Sequence, residues 1–123
     1  MNQSIGHLLE RSFTEIWNER DATRRLAAIN RLYAPDFRFF ESDAVFEGRA
    51  ATHARIEELQ AQWPAGSFFQ FDGAPRVNHD LVQLSWTLGP AGNPVIFGMD
   101  VAVVEQGMIK SLYLFLAPPA EVK

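Results

Sequence analysis

A chain of 123 residues fits one domain with one core, and 47% hydrophobic content with ten Phe and three Trp excludes a disordered segment. A net charge of −4 without a strongly basic stretch excludes a phosphate-backbone partner, because the densest positive pair, Arg24-Arg25, lies beside Glu19 and Asp21. The absence of Cys excludes disulfides, thiolate metal sites and a Cys nucleophile, and it fits a reducing, cytoplasmic setting.

In chain order, Ile5, Leu8, Leu9, Phe13, Ile16 and Trp17 recur at three- and four-residue spacing, which predicts an amphipathic helix closed by residues 18–20. This N-terminal stretch has neither a basic leader nor a continuous apolar run, so no signal peptide is expected, and no run reaches the length of a membrane span. Asp21 caps a second helix with Leu26, Ile29, Leu32 and Tyr33 on its apolar face, and Pro35 stops it. Residues 37–41 read as a strand, Ser42-Asp43-Ala44 as a turn, and Val45-Phe46 as a short return strand ended by Gly48. A third helix follows, with Ile56, Leu59 and Trp63 on one face and Glu57, Glu58 and Gln60 on another, ended by Pro64-Ala65-Gly66. Strands are then expected at 68–71, at 77–88 with a bend near His79-Asp80, at 95–105 and at 109–116. Gly89 to Pro94 and Gln106-Gly107 supply the turns, and Pro118-Pro119 ends the last ladder.

Helices first and hairpin-linked strands later predict a single α+β domain over residues 1–123. Its form is a cone: a curved antiparallel sheet wrapped by about three N-terminal helices, a shape whose mouth suits a ligand. Asp100 is the sharpest chemical signal. It interrupts a strand that is apolar on both faces and shares one face with Ile96, Gly98, Ala102 and Val104. A carboxyl buried there loses hydration and stays protonated to higher pH, so it can donate a hydrogen bond or a proton. The plainer alternative is a structural acid bonded to a nearby Trp, His or backbone group. Trp86, in line with Val82 and Leu84, is a candidate donor from a neighbouring strand. His79 is read as an exposed strand end, and His53, at the spacing of Ile56, as an inward-facing residue of the third helix.

Tyr33-Ala34-Pro35-Asp36-Phe37, Glu47-Gly48-Arg49, Gly98-Met99-Asp100-Val101, residues 105–109 and Leu112-Tyr113-Leu114-Phe115 together resemble the SnoaL-like branch of the nuclear-transport-factor-2-like superfamily. The resemblance spans roughly residues 8 to 117. It implies isomerase, cyclase or dehydratase chemistry without a cofactor, and it includes non-catalytic domains. In the isomerase branch, Glu41 matches the catalytic acid after the Tyr-Ala run and Asp100 matches the protonated acid of a late strand. Phe13 stands where that branch has an oxyanion-donating tyrosine, which argues against ordinary ketosteroid isomerisation. The Asp–Arg–Asp arrangement of the epoxide hydrolase branch finds no suitable late-strand Arg beyond Arg76.

The expectation is therefore acid–base catalysis on a small apolar carbonyl or polyketide-like compound. Asp100 serves as acid or oxyanion donor, Glu41 or His53 as base, and Trp86 as the orienting group. Glu41 also fits a solvated turn residue beside Asp43, and His53 a hydrogen-bonded core residue. The cavity wall is assigned to Phe13, Trp17, Tyr33, Phe39, Ile56, Trp63, Trp86, Gly98 and Leu116. His7, His53 and His79 lack ligand spacing, so no metal is expected, and no glycine-rich nucleotide loop is present. A non-catalytic binder and a dimerisation module are the alternatives. Apolar residues on both faces of the last strand predict a homodimer through the outer sheet face.

Overall fold

Local chemistry sets the end of each helix. The computed structural model describes residues 2–117, so the Pro118-Pro119 stop lies outside the described residues. Helix α1 (Asn2–Ser12) runs into a π-helical turn, Phe13–Trp17, closed by the Asn18 N–H donating to the Phe13 carbonyl at 2.8 Å. This turn buries Phe13, Ile16 and Trp17 together. In α2 (Ala22–Leu32), the Asp21 carboxylate accepts from the Arg24 N–H, as an N-cap does. Its buried face is Arg25, Ala28, Ile29 and Leu32. Leu26, expected inside, is 39% exposed, and Tyr33 already belongs to strand β1 (Tyr33–Glu41). Helix α2 therefore ends before Pro35, which lies in an irregular stretch of β1 where pairing with the last strand shifts register between Tyr33 and Arg38.

Strand β2 (Ala44–Glu47) returns to helix α3 (Arg49–Gln62), and β3 (Phe68–Phe71) follows. The expected bent strand at 77–88 is a hairpin instead. β4 (Arg76–Asn78) and β5 (Leu81–Gly89) pair antiparallel, and His79 adopts a left-handed φ of 55° in the turn. Strands β6 (Ile96–Glu105) and β7 (Met108–Leu116) complete the sheet, in the order β2-β1-β7-β6-β5-β3 with β4 also on β5. Every described pairing is antiparallel except β1 with β7, which is parallel. Hairpins force their strands to alternate, whereas no short turn joins β1 to β7. The result is the expected α+β cone, with the expectation of a wholly antiparallel sheet corrected at that one pair.

The core fills the space between the helices and the inner sheet face. Leu9, Ile16, Ile29 and Ile56 meet Phe37, Leu84, Ala102 and Leu112 there. A buried arginine joins the helices. Arg25 is 2% exposed and donates to the Glu19 and Arg20 carbonyls, to Gln60 Oε1 at 2.7 Å and to Glu57 Oε2 at 3.3 Å. Its Nη1 lies 2.9 Å from His53 Nε2, and since a guanidinium only donates, that imidazole nitrogen accepts. Gln60, expected on the polar face of α3, is buried. Its amide donates to the Trp17 and Glu19 carbonyls and ties α3 to the end of the π-helical turn.

Replacing Arg25 by Met leaves His53, Gln60 and two carbonyls without their donor. Arg25→Met is expected to lower stability by about 2–4 kcal/mol in urea denaturation, far more than an exposed Arg24→Met change.

Candidate functional site

Strand pairing brings the acid and its donor together. Leu84 pairs with Asp100 and Trp86 with Gly98, so Trp86 and Asp100 are diagonal neighbours on the inner face of the sheet. The Trp86 indole N–H donates to Asp100 Oδ1 at 3.0 Å. Asp100 Oδ2 has no hydrogen-bond partner among the described residues, and Asp100 forms part of the wall of a cavity of about 320 Å³. At 4% exposure the carboxyl is nearly stripped of water. Burial pushes it from its ordinary 3.8 up to about 7, and the Trp86 hydrogen bond opposes that shift by favouring the charged form.

Gly98 explains how the indole reaches the acid. A Cβ at this position would stand 2.6 Å from the Trp86 ring and 2.6 Å from the Phe115 carbonyl oxygen. The ring thus occupies the space that a side chain on β6 would fill. Gly98, expected in the wall, instead supports Trp86 from beneath and does not line the cavity.

The rest of the wall is mainly aromatic. Phe69 packs edge-on against Trp63 and Trp86, with ring centroids 5.3 and 5.0 Å away, and lies 5.1 Å from Phe13. Trp17 meets Phe39 at 5.2 Å. Phe69 is held by Asn18, whose side-chain amide accepts from the Phe69 N–H at 2.6 Å and donates to its carbonyl at 3.1 Å. An asparagine expected only to end a helix thus acts as a bridge to β3.

Glu41 and Arg55 form the charged part of the wall. The guanidinium grips both carboxylate oxygens, Nε to Oε2 at 2.7 Å and Nη2 to Oε1 at 3.0 Å, and Nη1 reaches Glu58 at 3.1 Å. The Glu41 carboxylate holds the Arg55 guanidinium above its ordinary value. Glu41 is therefore a half-buried member of an ion pair and not a freely solvated turn residue.

Of the expected wall, Phe13, Trp17, Phe39, Trp63, Trp86 and Leu116 line the cavity, together with Asp100 and Glu41. Three other expectations are corrected. His53 lies outside the wall, held by Arg25 between α2 and α3. Tyr33 is buried behind the wall, where its hydroxyl contacts Ser12 Oγ at 2.5 Å and accepts from the Trp17 indole at 3.0 Å; burial pushes that hydroxyl well above its ordinary value. Ile56 is fully buried in the core beside the helices. Sequence reasoning missed Leu59, Phe69, Leu88, Ile96 and Leu114 as wall residues. Period two or period 3.6 from Trp86, Asp100, Leu116 and Trp63 would have found four of them. Arg55 carried no local signal, since its partner Glu41 lies on another element. Among the described residues, no group of three or more His, Asp or Glu is placed to hold a metal ion.

Comparison with known proteins adds the family context. A family model described as a SnoaL-like domain matches residues 9–112. A SnoaL-like family protein from Agrobacterium tumefaciens str. C58, provisionally named an isomerase, is 27% identical, with a TM-score of 0.80 over 95% of this chain and 97% of its own. A provisionally named SnoaL-like polyketide cyclase from Jannaschia sp. CCS1 is 19% identical, with a TM-score of 0.78 over 94% and 86% of the two chains. A de novo designed protein with a curved β-sheet is 15% identical, with a TM-score of 0.75 over 96% and 88%. A search of curated proteins finds no match.

Two outcomes follow from the acid and its support. Between pH 4 and 7 the folded chain keeps a proton on Asp100 that the unfolded chain has lost, so this group makes stability fall as pH rises through that window. Asp100→Asn removes the loss while keeping an acceptor for Trp86. Its stability relative to wild type is expected to rise from pH 4 to pH 8 by on the order of 2–4 kcal/mol, read by urea denaturation at each pH. Gly98→Ala forces the Trp86 ring or the β7 backbone to move and is expected to lower stability by about 1–3 kcal/mol.

Proposed function

Since the chain belongs to the SnoaL-like domain family, we propose that it is a small-molecule pocket protein performing cofactor-independent acid–base chemistry on a small apolar carbonyl or polyketide-like compound. The observation that carries this reading is Asp100, buried against an aromatic cavity with one oxygen anchored by Trp86 and the other without a partner among the described residues. Below about pH 7 the neutral carboxyl donates to a ligand carbonyl oxygen and stabilises the enolate that forms when a neighbouring C–H proton is removed. Glu41, the other carboxylate of the cavity wall, would take that proton. Arg55 fills two of roughly four lone-pair sites on it, which fixes its orientation and leaves the others open. The same ion pair also favours a second reading, a non-catalytic binder, because a carboxylate held by a guanidinium gives up part of its basicity.

A homodimer and a cytoplasmic location belong to the proposal. The dimer is supported by the outer sheet face, where Phe97, Tyr113 and Phe115 are exposed and Tyr113 stacks on Phe40 at 4.3 Å. Light scattering is expected to give twice the chain mass for wild type and a single-chain mass for Phe115→Glu; a monomeric wild type removes the dimer from the proposal.

Deuterium exchange at the acidic carbon of 2-tetralone, a two-ring ketone, tests the chemistry without knowledge of the substrate. Wild type is expected to accelerate exchange, with a rate that declines above about pH 7. Asp100→Asn and Glu41→Gln are each expected to slow it by about 100-fold or more, with little change in affinity. Thermal stabilisation by the ketone without exchange favours the binder, and the absence of both effects removes the ligand-site reading.

A further inference from the structure

The polar groups of the cavity wall fall into two sets. Asp100 and Trp86 lie on the sheet strands, whereas Arg55 and Gln62 come from α3 and Glu41 from the end of β1. Asp100 is nearly closed off from water. The Arg55 and Glu41 side chains retain 24% and 13% exposure and so stand nearer to solvent than Asp100, on a wall that also carries the exposed Gln62, Pro64 and Leu116. The remaining wall residues are apolar or aromatic.

A guanidinium has five N–H groups. In Arg55, Nε, Nη1 and Nη2 each give one to Glu41 or Glu58, which leaves one N–H on each terminal nitrogen without a partner among the described residues. The same cluster has two carboxylates for one guanidinium, an excess of one negative charge within it. An arriving anion meets that excess, whereas a neutral oxygen can accept from the spare N–H groups without repulsion. Cavity volume limits the size of the guest. A cavity of roughly 150 Å³ holds benzene, so about 320 Å³ suits two rings.

From these observations we infer that the ligand is a molecule of about two rings carrying an oxygen at each end: one meets Asp100, and the other is uncharged and held by Arg55 at the rim. Arg55 then sets specificity, and Glu41 and Glu58 exclude acids. This inference rests on the ligand-site reading above and adds the chemistry of the outer end.

Calorimetric titration with 2-tetralone, 6-hydroxy-2-tetralone and 6-carboxy-2-tetralone separates the two. These probes share one ring system and differ only at the end opposite the ketone. The hydroxy compound is expected to bind wild type about five- to tenfold more tightly than the parent, the size of one hydrogen bond to a charged group at a half-exposed site. The carboxy compound is expected to bind more weakly than the parent. Arg55→Gln should erase the hydroxyl preference. Glu58→Gln, at an exposed position that does not endanger the fold, should recover binding of the carboxy compound about fivefold or more at low salt while leaving the parent unchanged. Equal affinity for parent and hydroxy compounds overturns this inference alone, as does a wild-type preference for the acid or an acid affinity indifferent to Glu58→Gln. Failure of all three to bind removes the ligand site itself, and this inference with it.

Discussion

An acid without a charged partner, enclosed by aromatic rings, constrains the design of this sheet. Coulomb attraction could stabilise a buried carboxylate, but among the described residues no Lys or Arg makes an ion pair with Asp100. One indole N–H is its donor among the described residues. Below about pH 7 the favoured state is then the neutral acid, which donates where an ordinary aspartate would accept. The Trp86 ring passes over Gly98 to serve it, and it has room there because Gly98 contributes no side chain. The chemistry thus depends on a sequence of placements along two strands: Leu84 opposite Asp100, Trp86 opposite Gly98, and a glycine where any Cβ would collide.

The helices supply the other half of the enclosure through polar contacts that the hydrophobic pattern does not announce. Arg25 gathers the loop after the π-helical turn, His53 and Gln60 into one network, and Gln60 passes the restraint to the Trp17 carbonyl. Asn18 fixes β3 so that Phe69 stands among Phe13, Trp63 and Trp86. The sheet holds the acid and the helix ends hold the wall. The Glu41–Arg55 pair then joins the end of β1 to α3.

The architecture was legible from periodicity because it depends on where apolar side chains recur. The three-four spacing from Ile5 to Trp17 gave the first helix, and the late hairpins gave the sheet. Asp100 was legible for the same reason, being a charge in a strand otherwise apolar on both faces. The contacts that escaped are those made between distant elements by polar or long side chains. His53 has the spacing of an inward residue, yet buried Arg25 intercepts its ring. Tyr33 belongs to a helix by pattern but starts a strand, and its hydroxyl is used by Ser12 and Trp17 behind the wall. Arg55 meets Glu41 across fourteen residues of sequence. The parallel pairing of β1 and β7 escaped because it is long-range and no turn residue marks it.

Fold membership narrows the chemistry without choosing it, since a designed curved sheet shares the architecture. The chemistry of this cavity turns on the protonation state of one side chain. Carbon-13 NMR of the aspartate carboxyls across pH, with Asp100→Asn used to assign the resonance, measures that state directly. A midpoint near 7 is the predicted result. A midpoint near the ordinary 3.8 would mean that water or a cation reaches the carboxyl, and would contradict the account of a neutral donor in an apolar cavity.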